Sequence, residues 1–226
     1  MGKCMKNINS YSNSEGKIWL NVASSVYVLE EFVNLDNAIF LLLIDLIPFV
    51  GWIFPSKYQS SIQEYREAKQ KALLIRHDCR NPLFFPDNSV DHILCSHFLE
   101  HIFPDEMEKV LKDFYRVLRK GATIHIIVPD LEKQINEYMK KKALGFPQAA
   151  DEMIRETILS RDTRGSLKYR FLEFIGSFGL QHRWMYDYQS LSEKITRVGF
   201  SIFDENETPS KDYRLNDGSI HVVARK

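Results

Sequence analysis

The sequence predicts an α/β fold: a mostly parallel β-sheet with helices on both faces, an antiparallel strand at its C-terminal end and a helical lid insertion. Three observations predict it. Short runs rich in strand formers recur at 17–22, 31–36, 72–78, 91–96 and 122–128, and they are apolar in the continuous way of strands buried on both faces. Charged segments with helical character alternate with these runs, the pattern of a parallel sheet with crossover helices. A last pair, 200–204 and 219–224, closes the chain as two adjacent strands.

Lys17 to Val22 (KIWLNV) ends in small residues, as a buried first strand does, and follows a polar, flexible N-terminal stretch, 1–16. Glu31 to Asp36 (EFVNLD) is the second strand and ends on a carboxylate. Ala38 to Phe54 (AIFLLLIDLIPFVGWIF) is almost unbroken apolar sequence. Asp45, Pro48 and Gly51 interrupt it, and it falls short of the ~20 apolar residues of a spanning helix. With the charged helix expected over 57–72 it makes an insertion, 38–72, read first as a lid or buried helix and second as a peripheral membrane contact through 38–54. Ala72 to Asp78 is the third strand, and Pro82, Pro86 and Asp87-Asn88 supply turn chemistry.

Asp91 to Ser96 is the fourth strand. The helix after it carries Met107, Val110, Leu111, Phe114 and Leu118 on one apolar stripe. Asp105 and Glu106 stand in its first turn and Arg116, Arg119 and Lys120 near its end, matching the helix dipole, and Gly121 is the expected stop. Ala122 to Val128 is the fifth strand, closed by Pro129 and by Asp130 as the cap of the next helix. Residues 131–180 read as a helical cap, and Tyr188 to Val198 as a helix ended by Gly199. The whole, 1–226, reads as one domain.

Composition narrows the function. Lys+Arg and Asp+Glu both number 30, so the net charge is zero, and no nucleic acid is expected as a partner. The three cysteines, Cys4, Cys79 and Cys95, include no CxxC pair, which suits a reducing, cytoplasmic setting. The N-terminus has no apolar core of a secretion signal. His97 and His101 flank Glu100 just beyond the fourth strand, and either imidazole is a candidate general base near neutral pH. Their H-x-x-E-H spacing also spells a metal pattern, but the strand-end setting points elsewhere, and no metal is expected.

The phrases "LNVASS…EEFVNLD", "HDCRNPLFFPDNSVDHILCSHFLEHI", "EMEKVLKDFYRVLRKGATIHIIVPDLE" and "HRWMYDYQSLSEKITRVGF" together resemble the class I S-adenosylmethionine (SAM)-dependent methyltransferases, within them the methyltransferase type 11-like group. The resemblance implies a Rossmann-like class I sheet and SAM as cofactor. It implies that Asn21, Ala23 and Ser24 form the first cofactor loop, that Asp36 accepts from the ribose hydroxyls, and that Asp78 and Cys79 meet the adenine. Ser96 and His97 are implied to line the methionine end, with His97 and His101 at the chemistry. Ala23 and Ser25 stand where the family places glycines, and a left-handed backbone there strains either residue.

His182, Arg183 and Tyr186, beside Trp184 and Tyr188, are expected to return toward the site and meet the substrate. The expected function is methyl transfer to a small polar or carbohydrate-like acceptor, a small molecule or glycan. The alternative is a non-catalytic binding or partner protein of the same fold that has lost SAM through its altered loop. A Rossmann-type oxidoreductase is disfavoured by the lack of any G-x-G-x-x-G.

Overall fold

The computed structural model describes residues 8–25, 27–37, 63, 66–67, 69–70, 72–160, 181–203, 208–211, 213–214 and 217–226. Seven strands, β1 (Trp19–Val22), β2 (Val33–Asp36), β3 (Leu73–Arg76), β4 (Val90–Ser96), β5 (Leu118–Pro129), β6 (Ser201–Ile202) and β7 (Ser219–Arg225), form one sheet in the order β3-β2-β1-β4-β5-β7-β6. The first five run parallel, and β7 lies antiparallel between β5 and β6. From β1 the chain moves outward to β2 and β3, then returns to β4 and β5 on the other side. That reversal opens a crevice beyond the carboxyl ends of β1 and β4.

Residues in register share a face of the sheet, so Leu20, Ile93, Ile124 and Ala224 project together, as do Val22, Cys95, Ile126 and Val222. All are buried. Helix α1 (Pro104–Val117) covers this face with Met107, Val110, Leu111, Phe114 and Val117, and a later helix, Tyr188–Val198, adds Leu191 and Ile195. Between them lie α2 (Leu131–Ala143) and α3 (Ala149–Glu156), so the helix at Tyr188–Val198 is α4.

Local chemistry fixes the ends of these helices. Pro104 opens α1, and Glu106 reaches back to accept from the Phe103 N–H at 2.9 Å. Asp130 caps α2 by accepting from the Lys133 N–H. Asp187 caps α4, and the Ser190 N–H that it accepts holds its carboxyl below the usual range. Gly199 ends α4 left-handed, at φ 115°, and a Cβ there would stand 3.2 Å from the Tyr115 ring. The expectation for Gly121 is corrected. The helix stops at Val117, where Leu118 turns extended and enters β5 beside Val90. Gly121, at φ 83°, instead sits in a bulge where the β4–β5 register shifts between Val90 and His92.

The opposite face is polar. Asn21, paired in register with Asn34, is 1% exposed and Asn34 is 0%. The connection from β1 to β2 is only the ten residues 23–32, and none of its described residues is helical, whereas a parallel crossover ordinarily uses a dozen or more with a helix. The two amides replace the missing helical hydrogen bonds. Asn34 Nδ2 donates to the carbonyls of Leu29 (2.9 Å), Phe32 (3.0 Å) and Leu73 (3.2 Å), and its Oδ1 accepts from Leu29 N–H (2.9 Å) and from Asn21 Nδ2 (2.8 Å). Asn21 Nδ2 also donates to Tyr27 O. A small cluster of Phe32, Leu94 and Ile127 supplies the apolar burial on this side.

Farther along the same face two histidines are linked through one serine, and a third joins the second directly. His92 bonds Thr123 Oγ1 (2.7 Å) and Ser210 Oγ (3.0 Å), while His125 bonds Ser210 Oγ (2.8 Å) and His221 Nδ1 (3.0 Å). Burial, aided by the neighbouring imidazoles, pushes His92 down to about 3 and His125 down to about 4.

The apolar stretch 38–54 and residues 161–180 of the expected cap lie outside the described residues. Residues 63, 66, 67, 69 and 70 are helical, as expected within 57–72. No helix among the described residues is long and apolar enough to cross a membrane.

Candidate active site

The loop after β1 carries two left-handed residues, Ala23 at φ 54° and Ser25 at φ 49°. These are the positions where a glycine is expected. For a residue with a Cβ this conformation costs roughly 1–2 kcal/mol. What holds it is the neighbouring strand: Ser24 N–H donates to Leu35 O at 3.1 Å, and Ser25 N–H donates to Asp36 Oδ2 at 2.8 Å. The loop and the carboxylate at the tip of β2 are thereby locked together. Asn21, at the root of the loop, is occupied in the amide network described above rather than in the crevice.

Cys79 lies beneath this loop. It is buried, and its pKa is pushed up to about 12, chiefly by burial, with the charges of Asp36 and Asp78 adding to it and the Ala23 backbone opposing. One thiol thus senses the loop and both carboxylates. Asp78 itself is engaged within its own turn, accepting from Arg80 N–H (3.1 Å), Nε (3.0 Å) and NH2 (2.7 Å). Burial works against its charge, but these bonds hold its carboxyl below the usual range.

Around β4 a second group forms. Ser96 is buried, and His97 follows it in the left-handed region at φ 51°. His97 Nδ1 lies 3.1 Å from Glu100 Oε1; its Nε2 lies 3.4 Å from Ser219 Oγ and 3.7 Å from Asp217 Oδ2. A carboxylate only accepts, so the Glu100 contact places the proton on Nδ1 and the lone pair on Nε2. Burial opposes the charge of Asp217, yet its bonds with Ser219 and the nearby His97 and His221 keep its pKa low.

Glu100 and His101 stand on a 3₁₀ turn, Leu99–His101, and the 181–186 segment is tied to it. Arg183 N–H and Trp184 N–H both donate to Glu100 O, at 2.7 and 3.1 Å. This brings the His182 ring edge-on to His101, with centroids 4.9 Å apart. Burial holds the His182 pKa down against the pull of Glu100, and His101 and His97 add to the lowering. Tyr186 is fully buried, and burial, with Glu100 and Cys95, raises its pKa so that it stays a neutral phenol. The Arg183 side chain lies over the Phe103 ring, 4.7 Å from its centroid, at the start of α1.

Of the expected site residues, Ala23, Ser24 and Asp36 come together with Cys79 near them, and His97, His101, His182 and Tyr186 gather around Glu100. Asn21, Asp78 and Arg183 are each engaged with other protein groups. Glu100 as the centre of the second group, and Asp217 and Ser219 as partners of His97, are additions that the sequence did not single out. The only signal for the latter two was the Asp217-Gly218 turn just before the last strand.

Buried polar atoms without a hydrogen-bond partner among the described residues concentrate here: Ser24 Oγ, Ser96 Oγ, Glu100 Oε2, His182 Nδ1 and Tyr186 Oη. Interior polar groups are nearly always paired, so these five atoms are available to a ligand's hydrogen bonds; Asn13 Nδ2, Gln134 Oε1 and Ser192 Oγ are likewise unpaired elsewhere among the described residues. Ser24 and Ser96, at the tips of β1 and β4 with Asp36 nearby, fit the hydroxyl and amino-acid groups of a nucleoside-type cofactor.

Residues 55–126 match the family model described as a methyltransferase domain. No curated protein matches the sequence. Among solved structures, the chain is similar to a SAM-dependent methyltransferase from Methanosarcina mazei at 17% identity, covering 96% of this chain and 93% of that one with a TM-score of 0.52. It is also similar to a SAM-dependent methyltransferase from Archaeoglobus fulgidus at 15% identity, covering 93% and 86%, with a TM-score of 0.50. At these identities the likeness is one of fold.

Proposed function

We propose that this chain, which has the class I methyltransferase fold and matches the methyltransferase-domain family over its central part, transfers a methyl group from SAM to a small polar or carbohydrate-like acceptor. One observation carries the reading: the left-handed Ala23–Ser25 loop is bonded directly to Asp36 across the tips of β1 and β2, at the switch point of the sheet. Asp36 would hold the ribose hydroxyls, Ser24 and Ser96 the polar ends of the cofactor, and Cys79 the floor beneath the loop. When bound, SAM supplies an electrophilic methyl for in-line displacement.

The chain's own task is to orient the acceptor and take its proton. His97 suits the second task better than His101. The buried Glu100 fixes its tautomer, Nε2 carries the lone pair, and Asp217 beside Nε2 stabilises the imidazolium that forms. The long contact to Ser219 Oγ is one that an acceptor hydroxyl displaces. Trp184 and Tyr188, both exposed, provide ring surface for the acceptor, while the buried Tyr186 anchors the segment that carries them. The buried free thiols of Cys79 and Cys95 suit the cytosol.

Calorimetric titration with SAM and S-adenosylhomocysteine tests the reading. Micromolar binding is expected, weakened at least tenfold in Asp36→Ala. Absence of binding at millimolar ligand favours the second reading, a non-catalytic member of the fold. That reading has one observation on its side, the strained side-chain-bearing residues in the cofactor loop.

A further inference from the structure

We propose that Glu100, His101 and His182 form a binding site for a zinc-class divalent cation. One ligand atom from each lies within 4.8 Å of the other two. Metal–ligand bonds of about 2.0–2.1 Å in a tetrahedral site set the ligand atoms roughly 3.3 Å apart, so binding requires the three side chains to draw together.

The polar atoms of this cluster are not otherwise satisfied. Glu100 is 0% exposed and His182 7%, yet Glu100 Oε2 and His182 Nδ1 have no hydrogen-bond partner among the described residues. An interior carboxylate with an orphaned oxygen is costly, and a bound cation removes that cost. The supporting contacts are those that metal ligands use. His101 Nδ1 lies 3.3 Å from the carbonyl oxygen of Gln181. A carbonyl only accepts, so Nδ1 carries the proton and Nε2 is left with the lone pair that a metal needs. On the other side, Glu100 Oε1 accepts from His97 Nδ1 at 3.1 Å, which orients the carboxylate and leaves Oε2 for the ion.

Two imidazoles and one carboxylate select a borderline ion such as Zn2+ over Mg2+ or Ca2+, which prefer all-oxygen sites. Three protein ligands leave a further position for water or for an oxygen of the acceptor. The site lies beside the proposed base but needs no cofactor, so its test leaves SAM out and stands apart from the methyltransferase reading.

The full chain, without a polyhistidine tag and with Cys4→Ser to remove a competing thiol, is stripped with a chelator and titrated calorimetrically with Zn2+. One site per chain with a micromolar or tighter Kd is expected, weakened at least tenfold in Glu100→Gln and in His182→Ala. His101 is only partly buried, so His101→Ala keeps the core intact; it is expected to melt like the parent without metal and to lose at least tenfold in Zn2+ affinity. Co2+ is expected to give visible absorption in the parent and not in His101→Ala. No saturable binding at millimolar Zn2+, or undiminished affinity in His101→Ala, overturns the proposal.

Discussion

The two faces of the sheet are built by different means. On one, α1 and α4 press side chains such as Phe114, Leu111 and Leu191 onto Val22, Ile93 and Ile126, and cohesion comes from apolar area spread over many contacts. On the other, Asn21, Asn34, His92 and His125 lie under 2% exposed inside the sheet, and cohesion is concentrated in a few directed hydrogen bonds. The first kind of packing tolerates exchange among similar hydrophobes. The second does not, because each lost partner strands a buried group.

Four measurements sharpen or break that contrast. The largest effect is expected from Phe114→Ala, about 4 kcal/mol lost in urea unfolding, with Phe114→Leu costing far less. Next, Asn34→Leu keeps volume but orphans Leu29 N–H and several carbonyls, at about 3 kcal/mol; a cost below about 1 kcal/mol would mean that the amide network is dispensable. Third is acidification. The unfolded chain protonates His92 and His125 from the free-imidazole value of about 6.5 downward, whereas the folded chain resists to about 3 and about 4. The unfolded state therefore binds more protons in that window. The stability contributed by neutral burial is complete above pH 6.5 and is lost as the pH falls toward about 4. The slope of each group rises toward about 1.4 kcal/mol per pH unit only below the unfolded pKa, so about 2 kcal/mol is lost for the pair between pH 6.5 and 5.5. His92→Asn should roughly halve that slope in denaturation curves collected at stepped pH, and an unchanged slope would rule out burial of the neutral ring. Smallest, Ala23→Gly relieves one left-handed residue and is expected to stabilise by about 0.5 kcal/mol net. In the methyltransferase reading it also tightens SAM binding, read from the same calorimetric titration.

The contrast also explains what the sequence could reveal. Strands buried on both faces announce themselves as apolar runs, and the stripe from Met107 to Phe114 announces α1, so sheet and covering helices could be read residue by residue. Asn34 and His92 carry no such signal. An asparagine or histidine within a strand looks the same whether it faces solvent or staples a crossover, and only the β1–β2 register reveals that Asn21 and Asn34 meet. Gly121 misled because a glycine after Arg119-Lys120 suits a helix stop as well as a bulge. At the site, the place of Asp36 at the tip of β2 was legible, because the apolar run before it ends there. The histidine cluster was only half visible, since Glu100 acquires its role from residues more than eighty positions away.

The thiol of Cys79, sealed under the first loop and raised to about 12, has a practical consequence. In the closed molecule it is protonated and shielded, so it reacts sluggishly with alkylating agents. Any excursion that lifts Ala23 off the sulfur exposes it to reagent and restores ordinary acidity. The rate of Cys79 modification therefore clocks the breathing of the loop, and whatever ligand settles there should slow that clock in proportion to its occupancy.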